Sequence, residues 1–388
     1  MRTLERVVLA EYTTLGLGGP AARLIEAETE QELTGAVRAA DQAGERLLVL
    51  GGGSNLVVAD DGFPGCVVRV ATSGQSEDLA GDDVLVTAAA GEDWDSLVAR
   101  CVAEGLAGLE FLSGIPGQVG ATPIQNVGAY GQEVAQTITS IRAYDRSLGA
   151  VTAIAAADCQ FGYRTSAFKQ GTGVAAVPAV PGPPSRSRGG SRSDPPDQAV
   201  PDTSVTGRMV VLGVTFRLRR DRLSRPIRYA EVARALGTHE GTQVPLADAR
   251  ATVLSLRRAK GMVLDPADPD TRSAGSFFMN PVLEPEQLAR LQRAVGGRDT
   301  GTPVPCYPAG NGRVKVPAAW LIEQAGFGKG HRGPGGARIS AKHTLALVNP
   351  GNASTDSLLA LARQVRGRVR ERYGIELVNE PTLVGVTL

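Results

Sequence analysis

The sequence predicts an α+β protein of two or three domains, on three observations. Between Arg23 and Leu50 a strand, a capped helix and a buried strand follow one another. Short strands then recur as far as Leu218, and from Pro226 the texture turns to short helices and loops. At 388 residues each domain is long enough to bury a core without disulfide or metal staples.

Arg23 to Glu28 reads as a strand, and Thr29 with Glu32 forms a capping box opening a helix with Leu33, Ala36, Val37 and Ala40 on one face. Gly44 closes it. Leu47 to Leu50 is a buried strand, and after Gly51-Gly52-Gly53-Ser54-Asn55 a second apolar run spans Leu56 to Ala59. Strands are expected again at Val67 to Val70 and Val84 to Ala89. Glu92 to Glu104 makes a helix with Trp94, Leu97, Val98, Cys101 and Val102 inward. A long Gly/Pro loop, Leu109 to Gly131, leads to strands at Ile138 to Tyr144 and Val151 to Ile154, and Met209 to Leu218 alternates like a sheet strand. Helices are expected over Arg228 to Leu236, Ala249 to Ala259, Pro317 to Gly326 and Thr355 to Tyr373, and Ile375 to Val386 reads as a terminal strand pair around Asn379-Glu380-Pro381.

One segment does not fit this scheme. Gln170 to Gly207 carries seven of the 24 prolines and the run SRSRGGSRSDPPD, with no aromatic, Leu or Ile residue, so it has nothing from which to build a core. It is read as a disordered insertion between two strands, without catalytic duty.

Charge and composition exclude several classes. With 41 basic and 40 acidic side chains the formal charge is +1, so neither nucleic acid nor an anionic membrane is an expected partner. The longest uncharged run, Phe111 to Gln132, contains two prolines and five glycines and is no membrane span. Cys66, Cys101, Cys159 and Cys306 form no C-x-x-C pair, and His239, His331 and His343 lie too far apart in sequence to suggest a metal site. A reducing, cytoplasmic location, no metal and a monomeric state are expected.

Two glycine loops carry the chemistry. Gly51-Gly52-Gly53-Ser54-Asn55 follows a strand but precedes another, so it is no Rossmann fingerprint. Its successive N–H groups can still form a nest for a pyrophosphate, although on this segment alone a tight glycine turn is the simpler reading. The second loop, Ser113 to Gly131, is too long for a connector and too apolar for a solvated tip. Backbone without side chains can press against a flat ring system and offer N–H and C=O groups to its polar edge, as flavins require; an irregular packing loop is the alternative.

Taken together in order and spacing, GGGSN, SGIPGQVGATPIQNVGAYG, FGYRTSAFK, AGSFFMNP, WLIEQAG and the terminal NEP resemble the UDP-N-acetylenolpyruvoylglucosamine reductases over nearly the whole chain outside the insertion. The resemblance implies a vanillyl-alcohol-oxidase-type FAD-binding domain in two α/β parts, 1–72 and 73–225. An α/β substrate-binding domain, 226–374, and C-terminal strands 375–388 returning Glu380 to the active site would follow. It implies FAD and NADPH as cofactors, hydride passing from NADPH to flavin N5 and on to a UDP-linked enolpyruvyl amino-sugar, and UDP-N-acetylmuramate, a cytoplasmic peptidoglycan precursor, as product. The residues it places on FAD are Gly51, Gly52, Gly53, Ser54, Asn55, Leu56, Ser113, Gly114, Ile115, Pro116, Gly117, Gly120, Ala121, Thr122, Gln125, Asn126, Gly128, Ala129 and Tyr130.

For the reaction, the resemblance gives Arg164 the substrate carboxylate, a task that suits a planar guanidinium fork. Ser276 would donate the proton that quenches charge on carbon, since an enolate is basic enough to take a hydroxyl proton in fixed geometry. Glu380 would work with the arginine, which requires a carboxyl that is protonated or orients a donor. Tyr163, Tyr229, Lys260, Asn280 and Gln324 match substrate-binding positions, Tyr229 and Lys260 at the diphosphate. The chain departs from the family pattern at Met279, where many relatives have Lys, and at Thr382, where several have Arg. An FAD oxidase of the same superfamily and a non-catalytic nucleotide-binding regulator are the competing readings.

Overall fold

The computed structural model describes residues 1–169, 206–296 and 303–388. A four-stranded sheet lies at the N-terminus in the order Arg2–Val8, Pro20–Ala27, Phe63–Val70, Leu47–Leu50. The first pair is antiparallel and the other two parallel. The helix Glu30–Gln42 is the crossover that carries the chain from Pro20–Ala27 to Leu47–Leu50, on the other side of Phe63–Val70 and running in the same direction. Thr29 caps it by accepting from Glu32 N–H, and Leu33, Ala36, Val37 and Ala40 are buried, as the pattern predicts. The Glu32 carboxylate reaches Glu28 N–H at 2.9 Å.

A second, antiparallel sheet runs Ala150–Ala155, Ile138–Asp145, Met209–Arg220, Asp83–Ala89, Gln75–Ala80, with Leu106–Ala107 beside the far end of its central strand. Met209–Arg220 is buried along most of its length because it is covered on both edges, whereas Gln75–Ala80 is an edge strand of almost wholly exposed residues. The helix Trp94–Ala103 buries Trp94, Leu97, Val98 and Cys101 against this sheet, and one continuous apolar cluster joins both sheets through the two helices.

The remaining residues pack around a small antiparallel sheet, Ser273–Ser276, Ala346–Val348, Arg338–Ile339, backed by the helices Ala318–Gln324 and Thr355–Tyr373. Leu15, Leu17 and Val57 from the N-terminal region enter the same core. The long helix is capped twice over: Ser354 closes a capping box, and Asp60 accepts from Thr355 and Asp356 N–H at 2.8 and 3.0 Å. Among the described residues no helix is long and apolar enough to cross a membrane.

One expectation is corrected. The C-terminal residues do not form a strand pair with each other: Asn379 bridges to Phe278, and Thr382–Val384 runs parallel to Leu56–Val58. Of the segment read as an insertion, Gln170 to Gly207, only Thr206 and Gly207 fall among the described residues. Residues 170–205 lie outside the described residues, but Thr206 Oγ accepts from Val49 N–H at 2.7 Å and Arg146 binds the carbonyls of Thr206 and Gly207.

Phe277 links these parts, with its ring buried against Phe278 and its main chain bonded to both Leu345 and Glu380. Phe277→Ala is expected to cost about 3–5 kcal/mol in urea unfolding, as for other fully buried rings; a loss below about 1 kcal/mol would show that the ring does not secure this junction.

Candidate active site

Both glycine loops, the turn around Arg164, the strand ending at Ser276 and the C-terminal segment enclose one cleft. The turn at Gly51 to Asn55 forms the first wall. Gly53 has φ +61°, and a Cβ there would stand 1.9 Å from the Tyr12 carbonyl oxygen, so no side chain fits. A Cβ on Gly52 would stand 2.9 Å from Gly117 Cα. The two loops therefore meet backbone to backbone.

The second wall is held by the N-terminal end of helix Trp94–Ala103. Trp94 N–H donates to Gly117 O at 3.0 Å and its indole N–H to Leu112 O at 3.1 Å. Asp95 accepts from Gly114 N–H at 2.6 Å while paired in a bidentate fork with Arg250. The Gln118 amide donates to Val70 O, and its buried Oε1 has no partner among the described residues.

The predicted cofactor residues divide between lining and support. Gly51 to Leu56, Ile115, Pro116, Gly117, Gly120, Ala121, Thr122, Gln125 and Gly128 line the cleft. Ser113, Gly114, Asn126, Ala129 and Tyr130 are not among its lining residues. Ser113 donates to Glu110 O, and Asn126 ties the loop together through Glu133, Gly162 O and Ala135 N–H.

Arg164, Ser276 and Glu380, which are far apart in sequence, all face this cleft. Arg164 sits at the tip of a turn with φ +54°, and its Nη2 donates to Gly128 O at 2.7 Å. Its Nε lies 3.1 Å from Glu380 Oε1, close enough for an ion pair though not aligned as a hydrogen bond. Ser276 ends a strand that bulges between Ser273 and Ser276, with Gly275 at φ +72°. The bulge turns Ser276 toward the cleft, and its hydroxyl has no hydrogen bond among the described residues. Burial pushes the Glu380 carboxyl above its ordinary range, against the opposing pull of Arg164 and Lys169.

The predicted substrate residues form groups beyond this cleft. The Tyr163 phenol faces Asn280, and the Lys315 ammonium lies 4.6 Å from the Tyr163 ring centroid. Asn280 Oδ1 also caps the helix Ala318–Gln324 through Ala318 N–H, at whose other end Gln324 stands half-buried. Tyr229 packs edge-on against Tyr130 at 5.5 Å, and Lys260, paired with Glu231 at 2.6 Å, lies over the same Tyr130 ring. His343 is held neutral nearby: burial and the charges of Lys260, Lys329 and Arg257 press its pKa down to about 4.

Sequence reasoning missed Gln118, Lys169, Thr206 and Arg257, all of which line the cleft. Arg257 is buried on the helix Leu246–Ala259, its pKa lowered by burial to about 10 and its Nε without a partner among the described residues. An arginine on the inner face of an amphipathic helix was the available signal.

A family model described as FAD binding domain matches residues 21–154, and one described as the C-terminal domain of UDP-N-acetylenolpyruvoylglucosamine reductase matches 266–384. The chain is 54% identical over 386 residues to a protein of that name from Thermobifida fusca, covering 99% of this chain and 98% of that one. It is 52% identical to the one from Streptomyces coelicolor, covering 100% and 93%. The crystal structure of UDP-N-acetylenolpyruvylglucosamine reductase from Thermus caldophilus is similar at 26% identity, with TM-score 0.57 over 99% of each chain. The α+β class is as expected. FAD fits the cleft: a glycine cradle that no Cβ could enter and the unpartnered Gln118 Oε1 and Arg257 Nε are what a bound dinucleotide satisfies.

Glu380→Gln is expected to gain thermal stability relative to the unsubstituted protein as pH rises. The native carboxyl titrates above its ordinary value of 4.5. Stability linked to its protonated form is therefore present below that value and lost as pH rises through the native-state pKa, a loss Gln cannot suffer. A midpoint difference that stays constant from about pH 4 to about pH 8 would show that Glu380 keeps an ordinary pKa.

Proposed function

The chain belongs to the UDP-N-acetylenolpyruvoylglucosamine reductase family, an FAD-dependent oxidoreductase family, and from that premise we propose that it uses NADPH to reduce the enolpyruvyl ether of UDP-N-acetylglucosamine to UDP-N-acetylmuramate. The observation that carries this reading is the convergence of Arg164, Ser276 and Glu380 on the glycine-walled cleft.

When bound, FAD supplies a carrier able to take a hydride from a nicotinamide and yield it to the substrate. Gly51 to Leu56 and the loop from Ile115 to Gly128 would hold it, with Gln118 and Arg257 as further polar contacts. Reduction of an enol ether adds hydride to its terminal carbon, and negative charge builds on the neighbouring carbon and its carboxylate. Arg164 answers that charge. Its guanidinium is oriented from behind by Gly128 O and Glu380, which leaves donors for a carboxylate in the cleft.

Ser276 delivers the proton to carbon. The bulge at Gly275 fixes where its hydroxyl stands, and the absence of a competing hydrogen bond among the described residues leaves that proton available. Glu380 faces the Arg164 Nε edge, which sets its carboxyl behind the guanidinium rather than against the developing negative charge. Tyr163, Asn280 and Gln324 are assigned to the sugar nucleotide, and Tyr229 and Lys260 to its diphosphate, where a tyrosine hydroxyl and an ammonium suit bridging phosphates.

The test separates two half-reactions in anaerobic stopped-flow absorbance. NADPH is expected to bleach the flavin, and the enolpyruvyl nucleotide to restore its colour; rapid restoration by oxygen alone, with no need for the nucleotide, would favour an oxidase. In Ser276→Ala, bleaching by NADPH is expected at close to the unsubstituted rate, while restoration by the nucleotide slows by about a hundred-fold or more. Equal slowing of both halves would assign Ser276 to the turn alone.

A further inference from the structure

We propose that Lys169 is a positioning residue for Arg164: it clamps the strained main chain that presents the guanidinium, and through it governs the substrate half-reaction. The inference rests on the function proposed above and extends it to a residue with no assigned role.

Arg164 has φ +54°, in the left-handed region that residues with a Cβ rarely hold unless their surroundings enforce it. The flanking residues are well secured. Gly162 and Thr165 exchange two backbone hydrogen bonds, Asn126 donates to Gly162 O, and Ser166 Oγ donates to Ile124 O while accepting from Phe168 N–H. Phe168 is buried, which anchors the single helical turn Ala167–Lys169. These contacts fix both ends of the turn. The Arg164 carbonyl, at its tip, accepts from Lys169 Nζ at 3.2 Å. Rotation of the Arg164 peptide out of the left-handed region would carry that carbonyl away from Nζ.

The ammonium acts on Arg164 by a second route. The cations that face Glu380 are Arg164 and Lys169, and all three side chains line the cleft. A buried carboxylate shared by two cations draws less strongly on either one, so Lys169 limits how far Glu380 can pull the guanidinium back from an incoming carboxylate. One side chain thus sets both the backbone and the head group of Arg164.

The experiment compares Lys169→Met and Lys169→Arg with the unsubstituted holoenzyme in the two half-reactions. For Lys169→Met, flavin content and bleaching by NADPH are expected to stay unchanged, while restoration by the enolpyruvyl nucleotide slows by about ten-fold or more, a fall in rate at saturating nucleotide rather than in KM alone. Lys169→Arg, which keeps a donor and a charge, is expected to recover most of that loss. Adding Lys169→Met to Arg164→Lys is expected to cost less than about two-fold further, since the two residues act as one unit. An unchanged restoration rate, a parallel loss of flavin and of both half-reactions, or fully additive losses would overturn the proposal. If the unsubstituted enzyme itself were not reoxidised by the nucleotide, the functional reading would fail instead. A crystal structure of Lys169→Met gives a measurement independent of turnover: Arg164 is expected to leave the left-handed region, and an unmoved Arg164 would count against the clamp.

Discussion

The cleft depends on the return of the chain's last residues to its first glycine turn. Thr382–Val384 pairs in parallel with Leu56–Val58, Thr382 N–H bonds to Asn55 O, and Ala59 N–H bonds to Val384 O. A few residues earlier, Glu380 N–H bonds to Phe277 O and Met279 N–H to Val378 O. This short segment is therefore a splint, with the glycine turn on one side and the Ser276 strand on the other. Glu380 lies within it, where both neighbours need it. The Asn55 side chain adds a tie across the splint, donating to Gln125 and more weakly to the Glu380 carbonyl.

A proposed catalytic set assembled from distant segments is costly to close in chain entropy, and here that cost is offset by ordinary packing rather than by the set itself. Phe277, Phe278, Leu377 and Val384 are buried in the splint region. The residues proposed to react are left with the less favourable positions: a left-handed main chain at Arg164, a bulge at Ser276 and a carboxyl whose pKa burial raises at Glu380. Strain gathers where chemistry is proposed, and the core holds it in place.

Much of the architecture was legible because it follows local rules. The helix at Glu30–Gln42 announces itself by Thr29 and four apolar positions on one face, and Thr355–Tyr373 by its amphipathic periodicity. Gln75–Ala80 has almost no apolar residues because it is an edge, so alternation cannot reveal it. The terminal segment was misread because an alternating pattern says that a strand has a buried face, not which strand it pairs with. In the candidate site the motif residues could be named only through resemblance, since nothing local distinguishes Arg164 or Ser276 from other residues of their type. Arg257 had one local sign, its place on the inner face of a helix, but Gln118 had none: what marks it is a buried atom without a partner among the described residues, a property that exists only once the chain is folded.

Those two residues also bear on how cofactor and fold are coupled. A buried donor or acceptor without a partner costs about 1–3 kcal/mol each, so a protein that keeps Gln118 Oε1 and Arg257 Nε in this state carries a penalty that a ligand can relieve. The glycine contacts point the same way. Gly52 and Gly117 bring two backbones together without interdigitating side chains, so the walls attract one another less than a packed core would. A flat, polar-edged dinucleotide held in the cleft they border would add contact area as well as hydrogen-bond partners for these atoms. Binding energy spent on joining the walls is recovered as stability of the folded state, by linkage of ligand to the native form alone. The cleft is in this sense a core left incomplete by the sequence, with FAD as the component that completes it.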